Sequence, residues 1–335
     1  MDKEFLEKDI INILKNRKNL LAFSAGVDST ALFFLLQEKG IEFDIAIVDY
    51  QLRKESKLEV EYAKDLAEKF NKKIFIKTAP ITPPSIEKKA RDIRYQFFKE
   101  IIDKYSYENL LTAHQLNDQL EWLLMQLTKG AGLVEILGME KIVRFENYSL
   151  IRPLLYISKE ELKNYLDNKK IKYFIDVSNE DINITRNYFR KEFSDKLIKK
   201  YKEGIKKSFL YLHQDKEILV KDLKFVKIDN LFIAKNQNSD IKNIRIIDKI
   251  LKKLGYILSK NQKDEILKQK NIVIGSKFSI SLNDKFIFIS PFIKTKMEKE
   301  FREKCRVLKI PPNIRGYIYK EKIDLKTIQE NIQQL

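Results

Sequence analysis

The 335-residue sequence has a single cysteine, Cys305. That leaves no internal disulfide framework, no CxxC redox pair and no cysteine-rich zinc site. No apolar run approaches the roughly 20 residues of a membrane-spanning helix. The first ten residues, MDKEFLEKDI, lack the basic-then-apolar pattern of a secretory signal. Internal repeats, low-complexity tracts and a GxxxxGK[ST] phosphate loop are also missing. What is present is 44% hydrophobic and 34% charged residues, enough apolar side chain for a sizeable core. The expectation is a cytoplasmic α/β or α+β protein with no membrane partner.

The formal net charge is +17, and it is unevenly spread. Residues 1–200 hold 35 Lys+Arg against 32 Asp+Glu, whereas residues 201–335 hold 30 against 16. An excess of +14 in the last 135 residues points to an anionic partner such as nucleic acid. A Lys-rich, Asn- and Ile-rich genome would coat any solvated surface in the same way.

The first third alternates short apolar runs with helical patterns. Strands are expected at Asn19–Ser24, Ile45–Val48, Ile74–Ile76 and Leu110–Thr112. Helices are expected at Ser29–Gln37, Leu58–Phe70, Ala90–Tyr105 and Asp118–Leu127. This alternation reads as a doubly wound, mostly parallel sheet, whose ligands sit at the carboxyl ends of the strands. A long charged helical connector follows over Asn187–Val220. Then come a basic helix at Ile244–Leu254 and short strands over 272–290, with a hairpin turn at Asn283-Asp284. The expected division is a catalytic domain over 1–205, including the connector, and a smaller basic α+β region over 206–335.

The strongest local signal is SAGVDST, Ser24–Thr30, between a strand and a helix. Small residues let successive N–H groups converge on one anion, and the helix N-terminus adds its positive dipole end. Ser24, Ala25, Gly26, Val27, Asp28, Ser29 and Thr30 are therefore candidate phosphate-binding residues. Asp28 is out of place beside phosphate unless a cation such as Mg²⁺ shares the site. An ordinary capped strand-to-helix turn would look similar.

SAGVDST resembles the SGGxDS loop of the N-type ATP pyrophosphatases. Further blocks in order are similar to those of the tRNA(Ile)-lysidine synthases within that superfamily. They are ARDIRYQFF (Ala90–Phe98), TAHQLNDQLEWLLMQLTKGAGLVEILGM (Thr112–Met139), RPLL (Arg152–Leu155) and DVSNEDINITRNYFR (Asp176–Arg190). The close resemblance spans about residues 18–192, and KIPPNIRGYIY (Lys309–Tyr319) matches only loosely. Ala25 replaces a usual Gly, Gln115 a frequent second His, Asn117 the first of two Asp and Trp122 a Thr. Asp49-Tyr50-Gln51 stands where an Asn-His-Gly type of segment is common.

The resemblance implies an adenine nucleotide alpha hydrolase-like fold and a ligase that uses ATP and Mg²⁺. Its substrates would be L-lysine and an isoleucine tRNA with a CAU anticodon. ATP would adenylate the wobble cytidine, the lysine amine would displace AMP, and codon specificity would change from AUG to AUA. The loop would hold the pyrophosphate, and Arg94 and His114 would steady the α-phosphate. Asp118 and Glu121, i and i+3 on one helix, would bind metal, hold the lysine ammonium or accept its proton. Asp28 and Asp118 are the expected metal ligands. Arg186 and Arg190 would touch substrate. The basic region, with Arg245, Lys249, Lys252 and Lys253 at helical spacing, would bind tRNA. Oligomeric state, a homodimer included, is left open.

Taken singly, His114, Arg94, the Asp118/Glu121 pair and the arginines also fit capping, solvated or ion-pair roles. His213 reads as structural and Cys305 as a bystander. Other readings are a tRNA thiolase, disfavoured by the lone cysteine, and an amidotransferase-coupled ligase, for which no glutaminase is present. A non-catalytic tRNA binder is disfavoured by the intact loop and carboxylates.

Overall fold

A computed structural model describes residues 4–52, 56–82, 86–175, 181, 183–221, 223–333 and 335. Residues 176–180 and 182 of the Asp176–Arg190 block lie outside the described residues. The chain divides into two compact units, Met1–Gln214 and Asp215–Leu335.

The first unit runs α1 (Lys8–Leu14), β1 (Asn19–Ala22), α2 (Val27–Glu38), β2 (Asp44–Asp49), α3 (Ser56–Lys69) and β3 (Ile74–Thr78). It continues with α4 (Ile86–Tyr105), β4 (Asn109–Leu111), α5 (Leu116–Leu127), α6 (Leu133–Ile136), β5 (Ile142–Arg144) and β6 (Ser149–Ile151). Then come α7 (Lys159–Asn168), α8 (Thr185–Phe189), a π-helical turn (Arg190–Ser194) and α9 (Asp195–Val220), which the unit boundary cuts. The long connector expected from sequence is thus interrupted twice, at the π turn and at Tyr201, whose φ of −129° breaks α9.

The sheet order is β3-β2-β1-β4-β6-β5, parallel except for β5. Strands progress outward from β1 on one side and from β4 on the other. The order therefore reverses between β1 and β4, and the crevice at their carboxyl ends is where such sheets bind ligands. Two apolar layers enclose the sheet. One centres on Leu21, Phe33, Leu36, Ile45 and Leu111, the other on Leu20, Ala46, Phe98, Ile102 and Leu110. The two sets come from alternate residues of the same strands, as a pleated sheet covered on both faces requires. At the opposite end of the sheet, the buried Asn19 amide donates to the carbonyls of Leu14 (2.9 Å) and Glu42 (2.8 Å). Its oxygen accepts from Asn109 at 2.9 Å, tying β1 to β4.

The second unit contains β7 (Phe225–Ile228), β8 (Leu231–Lys235), α10 (Asp240–Lys253), α11 (Lys260–Gln269) and β9 (Asn271–Ile274). It ends with β10 (Phe278–Leu282), β11 (Phe286–Pro291), α12 (Lys299–Val307), α13 (Pro312–Lys320) and α14 (Leu325–Gln333). Its antiparallel sheet has the order β7-β8-β11-β10-β9. The expected hairpin turn forms between β10 and β11, where Asn283 Oδ1 accepts from the N–H groups of Lys285 (3.0 Å) and Phe286 (2.7 Å). One face packs on Ile246, Ile250 and Leu251 of α10, the other on Ile314, Tyr317 and Ile318 of α13.

On the α13 side the strands carry small buried residues, Ser279, Ser281 and Ser290, so the helix approaches closely. Gly316 is the tightest point, because a Cβ there would lie 2.0 Å from the Ile293 carbonyl oxygen. The obstacle is backbone and cannot swing away. Gly316→Ala is expected to cost about 1–3 kcal/mol by overpacking, read from the urea midpoint. An unchanged midpoint would mean that α13 shifts freely.

Candidate active site

The loop after β1 turns sharply because Ala25 takes a left-handed conformation, with φ of +58°. An alanine there costs roughly 1 kcal/mol relative to glycine, which explains why a glycine is usual at this position. Phe174 N–H closes on the Ala25 carbonyl at 2.9 Å. Gly26 caps α2, and the first N–H groups of α2 have no partner within the helix. Ser24 N–H donates to Ser29 Oγ at 3.2 Å, and Ser29 Oγ donates to the Gly26 carbonyl at 3.3 Å. Thr30 Oγ1 and Asp28 Oδ1 are both buried without a hydrogen-bond partner. Burial, reinforced by the charge of Asp118, pushes the Asp28 carboxyl up to about 7, against the pull of Lys159 and Arg190.

The loop after β4 supplies the facing wall. His114 Nδ1 pairs with Thr112 Oγ1 at 3.0 Å. Burial lowers His114 to about 4; Asp118 opposes this shift, while Arg152, Arg186 and Arg91 add to it. The imidazole is therefore neutral at pH 7. Gln115 caps α5 through a reciprocal pair: its Oε1 accepts from Asn117 N–H at 2.5 Å, and Asp118 Oδ2 accepts from Gln115 N–H at 3.0 Å.

Asp118 and Glu121 share one face of α5, and α8 with the π turn that follows it brings Arg186 and Arg190 onto them. Arg186 Nη2 donates to Asp118 Oδ1 at 2.5 Å, and Arg186 Nε to Glu121 Oε2 at 2.8 Å. Arg190 donates to Glu121 Oε1 at 2.7 Å and to Oε2 at 3.1 Å. Burial would raise Asp118, but Arg186, His114, the Gln115 N–H bond and Arg190 together more than offset it and hold the carboxyl below its ordinary value. Glu121 is 0% exposed and both its oxygens are taken by guanidinium groups. The two acids and two arginines chosen from sequence therefore form one network.

The departures from the usual pattern have structural explanations. Asn117 donates to Asp195 Oδ1 at 2.7 Å and accepts from Lys159 N–H at 3.2 Å. An aspartate at 117 would confront Asp195 as a like charge. Trp122 Nε1 donates to the Glu135 carbonyl at 2.9 Å, and its ring covers Gly138, where a Cβ would fall within 2.4 Å of the indole. Gly130, with φ of +72°, ends α5 as the KGAG segment suggested.

Arg94 is half-buried on α4, its Nε has no partner, and its charge acts on Tyr50. The arginines that bear most on His114 are Arg152, Arg186 and Arg91. Sequence reasoning passed over Arg91, Arg152 and Lys159; Arg152 stands in the RPLL block and Lys159 opens α7, so the signal was there. In the second unit Arg245 is half-buried, with Nη1 enclosed, and does not join a fully solvated stripe. Lys249 and Lys253 lie over the Phe225 ring at 5.8 and 5.3 Å, and Lys252 pairs with Asp248 at 2.5 Å. Cys305 is buried in the core.

Residues 2–197 match the PP-loop domain family. A tRNA(Ile)-lysidine synthase of Campylobacter jejuni (strain RM1221) is 44% identical over 96% of this chain and 99% of its own length. One of Wolinella succinogenes is 43% identical over 93% of this chain and 95% of its own. Among solved structures, the U34-tRNA thiolase NcsA from Methanococcus maripaludis with its [4Fe-4S] cluster aligns with a TM-score of 0.51 at 18% identity. That alignment covers 63% of this chain and 75% of the thiolase, and shows a shared fold alone. With PP-loop sequence over more than half its length and such relatives along nearly all of it, the chain belongs to the tRNA(Ile)-lysidine synthase family of PP-loop proteins.

Proposed function

We propose that this chain ligates lysine to the 2-position of the wobble cytidine of a CAU-anticodon isoleucine tRNA, consuming ATP and releasing AMP and diphosphate. The observation that carries this reading is the placement of two elements across the β1/β4 crevice. The phosphate loop with its buried, unpartnered Asp28 oxygen faces the Asp118 carboxylate of the His114–Glu121 segment.

The loop's N–H groups and hydroxyls would take the β- and γ-phosphates. Two neighbouring carboxylates, one lacking a partner, suit a hard cation bound by oxygen, so Asp28 and Asp118 fit Mg²⁺. No group of three or more Asp, Glu, His or Cys side chains with metal-site geometry occurs among the described residues, so phosphate and water would complete its shell. When bound, the ion would offset charge on the phosphates. Neutral His114 would offer an N–H to the α-phosphate as charge develops there. Arg186 keeps 30% of its side chain exposed and would meet substrate with its outer edge. Glu121, closed off by two guanidiniums, is assigned as the group that positions them rather than as a proton acceptor.

The test is incorporation of labelled lysine into a transcript of this tRNA, with release of AMP and pyrophosphate, and methionine tRNA as control. Lysine must enter the isoleucine tRNA alone. Absence of lysine incorporation in the presence of ATP and Mg²⁺ would overturn the reading.

The basic second unit is proposed as the main tRNA-binding surface. Phosphate contacts release counterions, so tRNA affinity should fall steeply with salt. Replacing Lys249, Lys252 and Lys253 by Ala should reduce the slope of log affinity against log salt by up to about one unit per lost phosphate contact. Coincident slopes would locate tRNA binding elsewhere.

A further inference from the structure

The π turn between α8 and α9 does more than carry Arg190. In an α-helix, residues i and i+5 point about 140° apart. Tyr188 and Phe193 stand in that relation, yet their ring centroids are 5.8 Å apart at an interplanar angle of 74°. The wider turn over Arg190–Ser194 brings them to one side. Phe189 backs the pair, 5.9 Å from Tyr188 and 5.7 Å from Phe193. Tyr188 is 43% exposed and Phe193 41% exposed. Two large aromatic rings are thus held at the surface by an uncommon backbone feature that recurs at functional sites.

The surroundings indicate what covers them. Residues 186–207 carry nine Lys/Arg against three Asp/Glu. Arg186 and Arg190, one on each side of Tyr188 in sequence, reach the buried carboxylates of α5. A cationic surface with exposed rings, directly continuous with the catalytic network, suits the bases of single-stranded RNA, which stack on aromatic faces while phosphates meet the cations. An enzyme that modifies a wobble base must hold the unpaired loop around it.

We propose that Tyr188 and Phe193 form a stacking platform for an unpaired anticodon-loop base next to the modified nucleotide. This rests on the function proposed above. The platform positions the RNA and touches no ATP.

The experiment uses the full chain and an anticodon stem-loop carrying 2-aminopurine at the loop positions flanking the wobble site. Wild type and Tyr188→Phe should quench the probe on binding. Tyr188→Ala and Phe193→Leu should not, and their KM for tRNA should rise roughly tenfold, from the loss of one stacking contact. Their KM for ATP should stay unchanged, and the thermal midpoint should fall only by the loss of the ring contacts, leaving both variants folded at the assay temperature. Variants that quench and bind tRNA as wild type does would overturn the platform while leaving lysine ligation standing, and would make the rings a surface for a protein. A parallel rise in KM for ATP would also overturn it, marking general damage. A wild-type chain that ligates no lysine would overturn both.

Discussion

Glu121→Ala should destabilise the folded protein by about 3–5 kcal/mol, the usual cost of removing one partner from a buried ion pair. Glu121 has no solvent exposure and accepts three hydrogen bonds, one from Arg186 and two from Arg190. Truncation leaves two guanidiniums facing each other across the space of a lost carboxylate. Both then repel, and α8 loses its main charged anchor on α5. Glu121→Gln keeps the volume and one acceptor oxygen, so its stability loss should be smaller. Its turnover should still fall at least roughly tenfold, about 1.4 kcal/mol of transition-state stabilisation, because Arg186 and Arg190 lose their fixed orientation. Asp118→Asn should do the same to turnover. Urea unfolding and lysine incorporation measured on the same preparations check both. An unchanged urea midpoint for Glu121→Ala would show that the network does not hold α8 in place. A second check is coupling: removing Arg190 as well should cost less than the sum of the single changes, because the two deletions share one interaction.

How far such a network can be read from sequence depends on which link is local. The i, i+3 spacing of Asp118 and Glu121 and the i, i+4 spacing of Arg186 and Arg190 are local, so each pair could be put on one helix face. Their mutual contact spans 65 to 69 residues and leaves no trace in periodicity. The first four strands were legible because each is a short apolar run between helical patterns. β5 and β6 were not, because they form an antiparallel pair with no helical pattern between them. The π turn escaped for a related reason: RNYFRKEFS has an unbroken helical composition, and only hydrogen bonding reveals the extra residue per turn. Ala25 shows the reverse case. Its small side chain suggested a tight loop, but the positive φ that makes it costly is a property of the closed turn. Asn117 replaces the first of two usual Asp, and with Asp118 and Glu121 kept, that acid's role reads from sequence as dispensable or structural. The contacts of Asn117 with Asp195 and the Lys159 N–H show a structural tie that an acid could not make beside Asp195.

Asp28→Asn should separate stability from activity. The Asp28 carboxyl is held up at about 7 by burial first and by Asp118 next, with Glu121 adding to the rise and Lys159 and Arg190 opposing it. In the unfolded chain the same group titrates near 3.8. Between those values the folded state binds more protons than the unfolded state, so stability falls as pH rises from about 4 to about 7 and then levels off. Asparagine keeps the shape and carries no charge. At pH 8 the variant should therefore be more stable than wild type, on the order of 1–4 kcal/mol, and its stability should be flatter across that window. Activity should move the other way. Without a carboxylate in the phosphate loop the site loses a proposed Mg²⁺ ligand, and pyrophosphate release should fall at least about 100-fold, roughly 2.7 kcal/mol. Thermal melts give a readout independent of turnover: Mg²⁺ with ATP should raise the wild-type midpoint at pH 8 by mass action and leave the variant nearly unmoved. Near-normal pyrophosphate release by Asp28→Asn would remove the metal from this position. A variant less stable than wild type at pH 8 would show instead that the Asp28 charge is satisfied in the folded protein, by Lys159 and Arg190 together.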